Sequence, residues 1–345
     1  MMKKKKIVYG LLIFLVLVVL GVSFVANLFL SPNFVVKDKD KNEEYLLIRD
    51  NTTFEQITEQ LNEKVRVKKP STFKTVAKLL KYKKIRSGRY RVADGMNNLT
   101  LVRNLRNGNQ TPVSLKFHNI RTKEQLASRL SQQLMPDSTE ILTLLNDTVF
   151  LTKYNLNPYT SVSLFLPNTY ELFWNIDAER IFERMSREYE QFWTDERKDK
   201  AAIIPLTRDQ VSTLASIVDS ETNHNPEKPI IAGLYINRLR RNMPLQADPT
   251  VIFAMGDFSI RRVLREHTRY ESPYNTYLHT GLPPGPIRIP SISALDAVLN
   301  YDKNDYIFMC AKETLNGEHN FATTWVEHQQ NATRYQKALN AMGIR

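Results

Sequence analysis

The chain has 345 residues, 42% of them hydrophobic, which suits one or two ordinary domains and excludes wholesale disorder. Its formal net charge is +12, and Lys3–Lys6 supply four of the positive charges. The single cysteine, Cys310, excludes an internal disulfide and a cysteine-cluster metal site. After MMKKKK comes the uncharged run IVYGLLIFLVLVVLGVSFVANLFL, Ile7 to Leu30. As a helix it would rise about 36 Å, enough to cross a hydrocarbon layer of roughly 30 Å. A cleaved signal peptide is the competing reading. Its apolar region would be shorter, about 7–15 residues, and the nearest cleavage candidate, Phe24-Val25-Ala26, has a bulky Phe where a small residue is wanted. The expectation is an uncleaved anchor over 7–30. A cytoplasmic tail at 1–6 would then send the rest of the chain across the membrane by the positive-inside bias. A basic protein outside the cytoplasm meets no nucleic acid, so an anionic surface or polymer of the envelope is the expected partner.

Residues 31–44 (SPNFVVKDKDKNEE) are polar and alternate in charge, and read as a tether. From 45 to 110 the pattern is a small α+β module. EYLLIRD forms a strand. NTTFEQITEQL forms a helix capped by Thr53 with Gln56 closing a capping box. A second helix runs through Phe73, Val76, Leu79 and Leu80. SGRYRV forms another strand, and a helix over Leu99, Val102 and Leu105 ends at Gly108. Residues 111–205 follow as an intermediate part: the strand VSLKFHNI, the helices KEQLASRLSQQL and STEILTLLND, the segment SLFLPNTYELFWN, and an amphipathic helix from Phe182 to Trp193. The last region, 206–345, carries the densest motifs. The fold class expected for the whole is α+β.

Thr207 can cap the next helix, with Gln210 three residues on. Val211, Leu214, Ala215 and Val218 fall on one face, and Glu221 continues that inward side at i+3 from Val218 and i+7 from Leu214. TNHNP ends the helix directly after it. Partial burial and the negative helix terminus both raise a carboxyl's pKa, which suits a general acid. The same spacing also fits an ordinary last-turn glutamate turned to water. IIAGLYINRL is a further apolar helix bearing Asn237 and Arg238. LQADPTVIFAMG places Asp248 as N-cap with Pro249 at the first helical position, so capping is preferred to catalysis for Asp248. Gln246 either reaches a cleft or faces water. The stretch SPYNTYLHTGLPPGPI, 272–287, holds four prolines and two glycines. Such stiff backbone reads either as a pre-formed wall of a site, presenting Tyr274, Asn275, Thr276 and Tyr277, or as a structural corner. Cys310, in the strand-like YIFMCAKE, reads as a small core residue. Thr324 and Glu327 form a capping box for the last helix. No histidine sits in an HExxH pattern, so no metal and no cofactor are expected.

Two resemblances arise from these motifs. TTFEQITEQL with SGRYRVADGMNNLTLVRNLRNG resembles a LysM-like subdomain, although the pattern would serve any small packing module. LASIVDSET, LYINRLRRNMPLQADPTVIFAMG, SPYNTYLHTGLPPGPI and FLPNTYELFW together resemble the YceG-like (MltG) endolytic murein transglycosylases. Asp219-Ser220 is a small departure before Glu221. The resemblance implies a single-pass enzyme of the cytoplasmic (inner) membrane, facing outward, that cuts within peptidoglycan glycan strands near the synthases. It would leave 1,6-anhydro-muramyl ends, with Glu221 as catalytic acid. Asn237, Gln246, Asp248, Tyr274, Asn275 and Thr276 are the expected substrate-binding residues. Asp248, Asp219 and Glu271 remain candidates for a second carboxyl, which would suit a peptidoglycan hydrolase. A non-catalytic wall-binding scaffold is the other alternative.

Overall fold

The computed structural model describes residues 2–343, with side chains from Lys6 onward; the basic stretch expected to be cytoplasmic lies mostly outside the described side chains. The described chain is α+β and divides into two compact units. One comprises the chain up to Ser114 together with 133–135 and 171–176; the other comprises 115–132, 136–170 and the chain from Asp177 onward.

The first unit begins with α1 (Met2–Leu30), whose span Lys6–Leu30 is long and apolar enough to cross a membrane and is exposed up to its last turn. Then come β1 (Phe34–Val36), β2 (Glu43–Ile48), α2 (Phe54–Lys64), β3 (Val65–Val67), α3 (Pro70–Leu79), β4 (Gly88–Ala93) and α4 (Asn98–Asn107). β2 pairs antiparallel with β4, and the two helices α2 and α3 lie between them in sequence. Thr53 and Gln56 make the expected capping box, and α4 stops at Gly108, whose φ of +76° needs no Cβ to be accommodated. Leu46, Ile57, Leu61, Phe73, Val76 and Leu101 form the core. Leu79, expected on the apolar stripe of α3, points to solvent instead, and Ala77 takes the inward place.

The tether expected over 31–44 is partly built into this unit. β1 pairs antiparallel with β3, and Phe34 is fully buried against Phe73. Asn33 fixes the segment: its Oδ1 accepts from the Lys69 amide (2.7 Å) and its Nδ2 donates to Asn98 Oδ1 (2.7 Å). Only Lys37–Asn42 keeps the exposed, charged character read from the sequence.

The remaining elements are β5 (Val113–Lys116), α5 (Lys123–Ser131), α6 (Ser138–Asn146), α7 (Thr148–Thr152), β6 (Thr169–Leu172), α8 (Ala178–Phe192), α9 (Asp195–Ile203), α10 (Arg208–Glu221), α11 (Lys228–Arg240), α12 (Asp248–Met255), α13 (Ile292–Leu299), β7 (Phe308–Ala311), β8 (His319–Ala322) and α14 (Trp325–Ala341). Most of the expected intermediate part belongs to the same compact unit as the last region, so position 205 is not a boundary between units. α10 is the central helix of this second unit. The sequence pattern assigned it one apolar face, yet every residue from Val211 to Asp219 is buried. Three of its hydroxyls bond back along the helix, Thr213 Oγ1 to Asp209 O, Ser216 Oγ to Thr213 O and Ser220 Oγ to Ser216 O, while the buried Ser212 hydroxyl has no hydrogen-bond partner. β7 and β8 form an antiparallel hairpin with Cys310 opposite Asn320. α14 begins with the expected Thr324–Glu327 capping box.

Candidate active site

α10 ends at Glu221, with Thr222 already in extended backbone. The last turn is held from two sides. Asp219, buried, accepts from Lys228 Nζ (2.6 Å), from the Ser291 hydroxyl (2.6 Å) and from the Ser291 amide (3.1 Å). Thr222 and the buried Glu227 meet through Oγ1 and Oε2 at 3.5 Å, while Glu227 also accepts from the His319 amide and faces His319 Nδ1 at 3.0 Å. The helix terminus is thereby locked to α11, to the start of α13 and to the β7–β8 hairpin.

Glu221 opens into a cleft of about 270 Å³ with Tyr235, Arg238, Gln246, Asp248, Tyr277 and His319 on its walls. Its Oε1 accepts a hydrogen bond from Tyr235 Oη at 2.5 Å. Burial raises the carboxyl's pKa to about 7; the Tyr235 bond and the Arg238 charge pull the other way, and nearby Asp248 pushes it up further. Tyr235 is itself held neutral, chiefly by burial and then by the charge of Glu221. Asp248 accepts from Tyr277 Oη at 2.6 Å, and burial raises its pKa as well. Arg238 spends its guanidinium on the scaffold, donating to the carbonyls of Ile307 (2.7 Å), Leu245 (2.9 Å) and Pro244 (3.2 Å). It remains close enough to Glu221 for its charge to favour the ionised carboxylate there.

The proline-rich stretch brings Tyr277 to the wall of this cleft and is anchored at both ends. Asn275, fully buried, donates to the carbonyls of Thr268 and Tyr270 and accepts from the Tyr277 amide. Thr276 Oγ1 accepts from the Ala247 amide and pairs with Thr250, and its carbonyl accepts from the Gln246 amide. Gln246 there adopts a φ of +50°, which swings the chain so that Asp248 faces the cleft. At the far end the Ile287 amide donates to Ser216 on α10. Gly285 lies so close to Tyr159 that an added Cβ would meet its carbonyl oxygen at 2.0 Å.

Of the residues expected in a site, Glu221, Gln246 and Asp248 come together. The others do not. Asn237 turns to the opposite side of α11 and donates to the carbonyls of Asn304 and Tyr306. Asn275 and Thr276 build the wall from within. Tyr274 packs tilted against Phe253 on a separate cavity. The capping role expected for Asp248 is also corrected: Ala247 is the N-cap, Asp248 is the first helical residue, and its carboxyl goes to Tyr277 instead. Asp219 is committed to Lys228, and Glu271 stays exposed away from the cleft lining. Cys310, expected in the core, is partly exposed and lines the cleft floor, where burial still raises its thiol pKa. Sequence reasoning missed Tyr235, Arg238 and His319 as cleft residues, and did not select Tyr277 from the loop. A larger cavity of about 600 Å³ around Asp209 and Leu282 lies at the other end of α10, about three helical turns from Glu221.

A carboxyl with a near-neutral pKa beside a tyrosine hydroxyl and a second carboxyl makes this a carboxyl-centred acid–base cleft in an α+β unit. A model described as the YceG-like family matches residues 46–334, and the chain belongs to that family. An endolytic murein transglycosylase of Bacillus subtilis (strain 168) is 38% identical over 151 residues, 44% of this chain and 40% of the relative. An endolytic murein transglycosylase of Streptococcus pneumoniae serotype 2 is 25% identical over 372 residues, covering 96% of this chain and 65% of its own length. The chain thus matches less than two thirds of the length of either relative. A crystal structure of a YceG-like protein from Listeria monocytogenes aligns with a TM-score of 0.55 at 26% identity, over 84% of this chain and 99% of that one.

Proposed function

We propose that the chain is a membrane-anchored endolytic lytic transglycosylase of peptidoglycan, with Glu221 as the single general acid and base. The observation that carries this reading is the Glu221 carboxyl, at a buried helix end, opening into a cleft with its pKa near 7. The relatives named endolytic murein transglycosylases and the apolar helix α1 support it. In the reaction, protonated Glu221 gives its proton to the glycosidic oxygen between the muramyl and glucosaminyl sugars as the bond to the anomeric carbon breaks. The muramyl sugar's own primary hydroxyl then bonds to that carbon and returns a proton to the ionised carboxylate. No water is consumed, and the intramolecular nucleophile has a large effective molarity. Tyr235 holds the carboxylate in place between the two steps. Gln246 and the Tyr277 hydroxyl are the groups we assign to sugar contacts. The first unit is assigned a LysM-like role in holding glycan, on the strength of its α+β order. Peptidoglycan synthases are the proposed neighbours at the outer face of the membrane.

One observation favours a second reading. Asp248 shares the cleft with Glu221, and a second carboxyl could activate water for hydrolysis. Digestion of purified sacculi by wild type and by Glu221→Gln tests both. Wild type should release fragments whose new muramyl ends lack one water in mass spectrometry, and the variant should release none above background. Reducing ends would move the assignment to hydrolysis. Equal release by both proteins, or none by either, would remove the enzyme reading in favour of a binding scaffold.

A further inference from the structure

Beside the Glu221 cleft lies a groove that the reaction above does not use. It consists of a cavity of about 150 Å³ and one of about 380 Å³, and Arg121, Phe253 and Phe258 line both. Ser220 and Pro249, which line the smaller part, are the chain neighbours of Glu221 and Asp248. Arg121 and Arg288 both face that smaller part. Arg288 is anchored, donating to Asn119 Oδ1 at 2.5 Å and to the Asp219 carbonyl at 3.3 Å, but its buried Nε has no hydrogen-bond partner. The Asp219 carboxylate, 3.6 Å from that Nε, is already engaged by Lys228 and Ser291. Arg121 rests its exposed guanidinium on the Phe258 ring at 5.0 Å. Burial lowers the pKa of Arg288; Asp219 opposes this, and the charge of Arg121 adds to it, so the two guanidinium groups repel across the cavity. Two cations on one cavity, beside an aromatic wall, describe a receptor for a planar anion.

We infer that this groove binds a carboxylate of the peptide stem carried by the muramyl sugar next to the cleaved linkage, with Arg121 and Arg288 as its ligands and Phe253 and Phe258 as its walls. The inference rests on the peptidoglycan reading and adds a peptide requirement to it. A phosphate on a lipid-linked strand end has the same charge. A cut inside a strand leaves that end several sugars away, whereas the stem branches from the very sugar held at Glu221. The larger part of the groove, rimmed by Tyr159, Tyr274 and Lys123, with Glu124 beside them, gives the rest of the stem room to lie.

The test uses the full chain in detergent on two substrates: intact glycan strands and strands stripped of stems by an amidase. Arg121 is exposed, so Arg121→Ala and Arg121→Lys should fold as wild type. Arg121→Ala should raise KM on stem-bearing strands by about tenfold, the scale of one charge-assisted contact, with kcat nearly unchanged. On stripped strands it should do nothing, and Arg121→Lys should recover most of the loss. Loss on both substrates alike, or on neither, overturns the inference. Calorimetry with muramyl tripeptide reads binding without turnover: Arg121→Ala should weaken it about tenfold. If amidation of the peptide's carboxylates leaves affinity unchanged, or inorganic pyrophosphate competes more strongly than the tripeptide, the carboxylate assignment fails. A wild type that binds the tripeptide through Arg121 yet cuts no strand would sink the enzyme reading and leave the groove standing.

Discussion

Glu221 combines the two demands of a general acid, a proton held at neutral pH and a route for it into a cleft. With a pKa of about 7, activity should be full below neutrality and fall as pH rises through 7, because only the protonated carboxyl can start the reaction. Tyr235 stabilises the ionised form, so Tyr235→Phe should move this alkaline limb to higher pH; a pH–rate profile lowered evenly at every pH would assign Tyr235 a structural role alone. The same shift has a stability consequence. The folded state keeps the proton from about pH 4.5 to about 7, where the unfolded chain has lost it, so this group's contribution to stability falls as pH rises through that window. The loss is at most about 3 kcal/mol, and less because the residue is partly exposed to the cleft. Glu221→Gln should therefore be inactive and also more stable than wild type at pH 8, with the difference vanishing near pH 4.5 in thermal melts. The inward direction of Glu221 was legible from its spacing to Leu214 and Val218. Tyr235 and Arg238 were not, because which side of α11 faces the cleft depends on how that helix rolls against α10. The roll turns Asn237, the residue chosen from sequence, to the far side.

Between elements, the cleft depends on one irregular wall. The 272–287 stretch contains no helix or strand, yet it is tied to the turn before α12 by Thr276 and to the middle of α10 by Ile287. Its rigidity was readable from its prolines and glycines. Its anchor residues were mistaken for ligand contacts, since buried amide and hydroxyl groups look alike in sequence whether they face a sugar or a carbonyl. Asn275→Ala removes the partner of two carbonyls and of the Tyr277 amide in a partly buried place, and should cost about 1–3 kcal/mol in denaturant unfolding. It should also lower kcat, because Tyr277 and with it Asp248 lose their positions. Gly285→Ala puts a methyl on the Tyr159 carbonyl and should cost at least about 2 kcal/mol. Loss of stability in Asn275→Ala without loss of kcat would show that the wall need not be rigid for the cleft to work.

At the scale of the molecule, the apolar helix and the first unit are one piece. The sequence suggested a free tether after Leu30, because charge alternation in 37–44 outweighed the single Phe34 that the core in fact takes up. The last turn of α1 is part of that unit: Leu28 and Phe29 pack on its core, Asn98 Nδ2 donates to the Leu28 carbonyl, and the Ser31 hydroxyl donates to Asn27 Oδ1. If α1 crosses the bilayer as proposed, the first unit is fixed at the membrane surface, and full-length protein should resist alkaline extraction from membranes. Removing the helix then has a consequence that depends on where the cut falls. A chain beginning at Asn27 keeps the packing of Leu28 and Phe29 and the carbonyl that Asn98 needs. A chain beginning at Ser31 uncovers apolar core and leaves a buried amide short of one acceptor. The second should be less stable than the first by about 2–3 kcal/mol, read as a lower urea midpoint for the first unit's transition. Equal midpoints would mean that the helix end merely leans on the unit, and that a flexible joint at residue 31 is compatible with its stability after all.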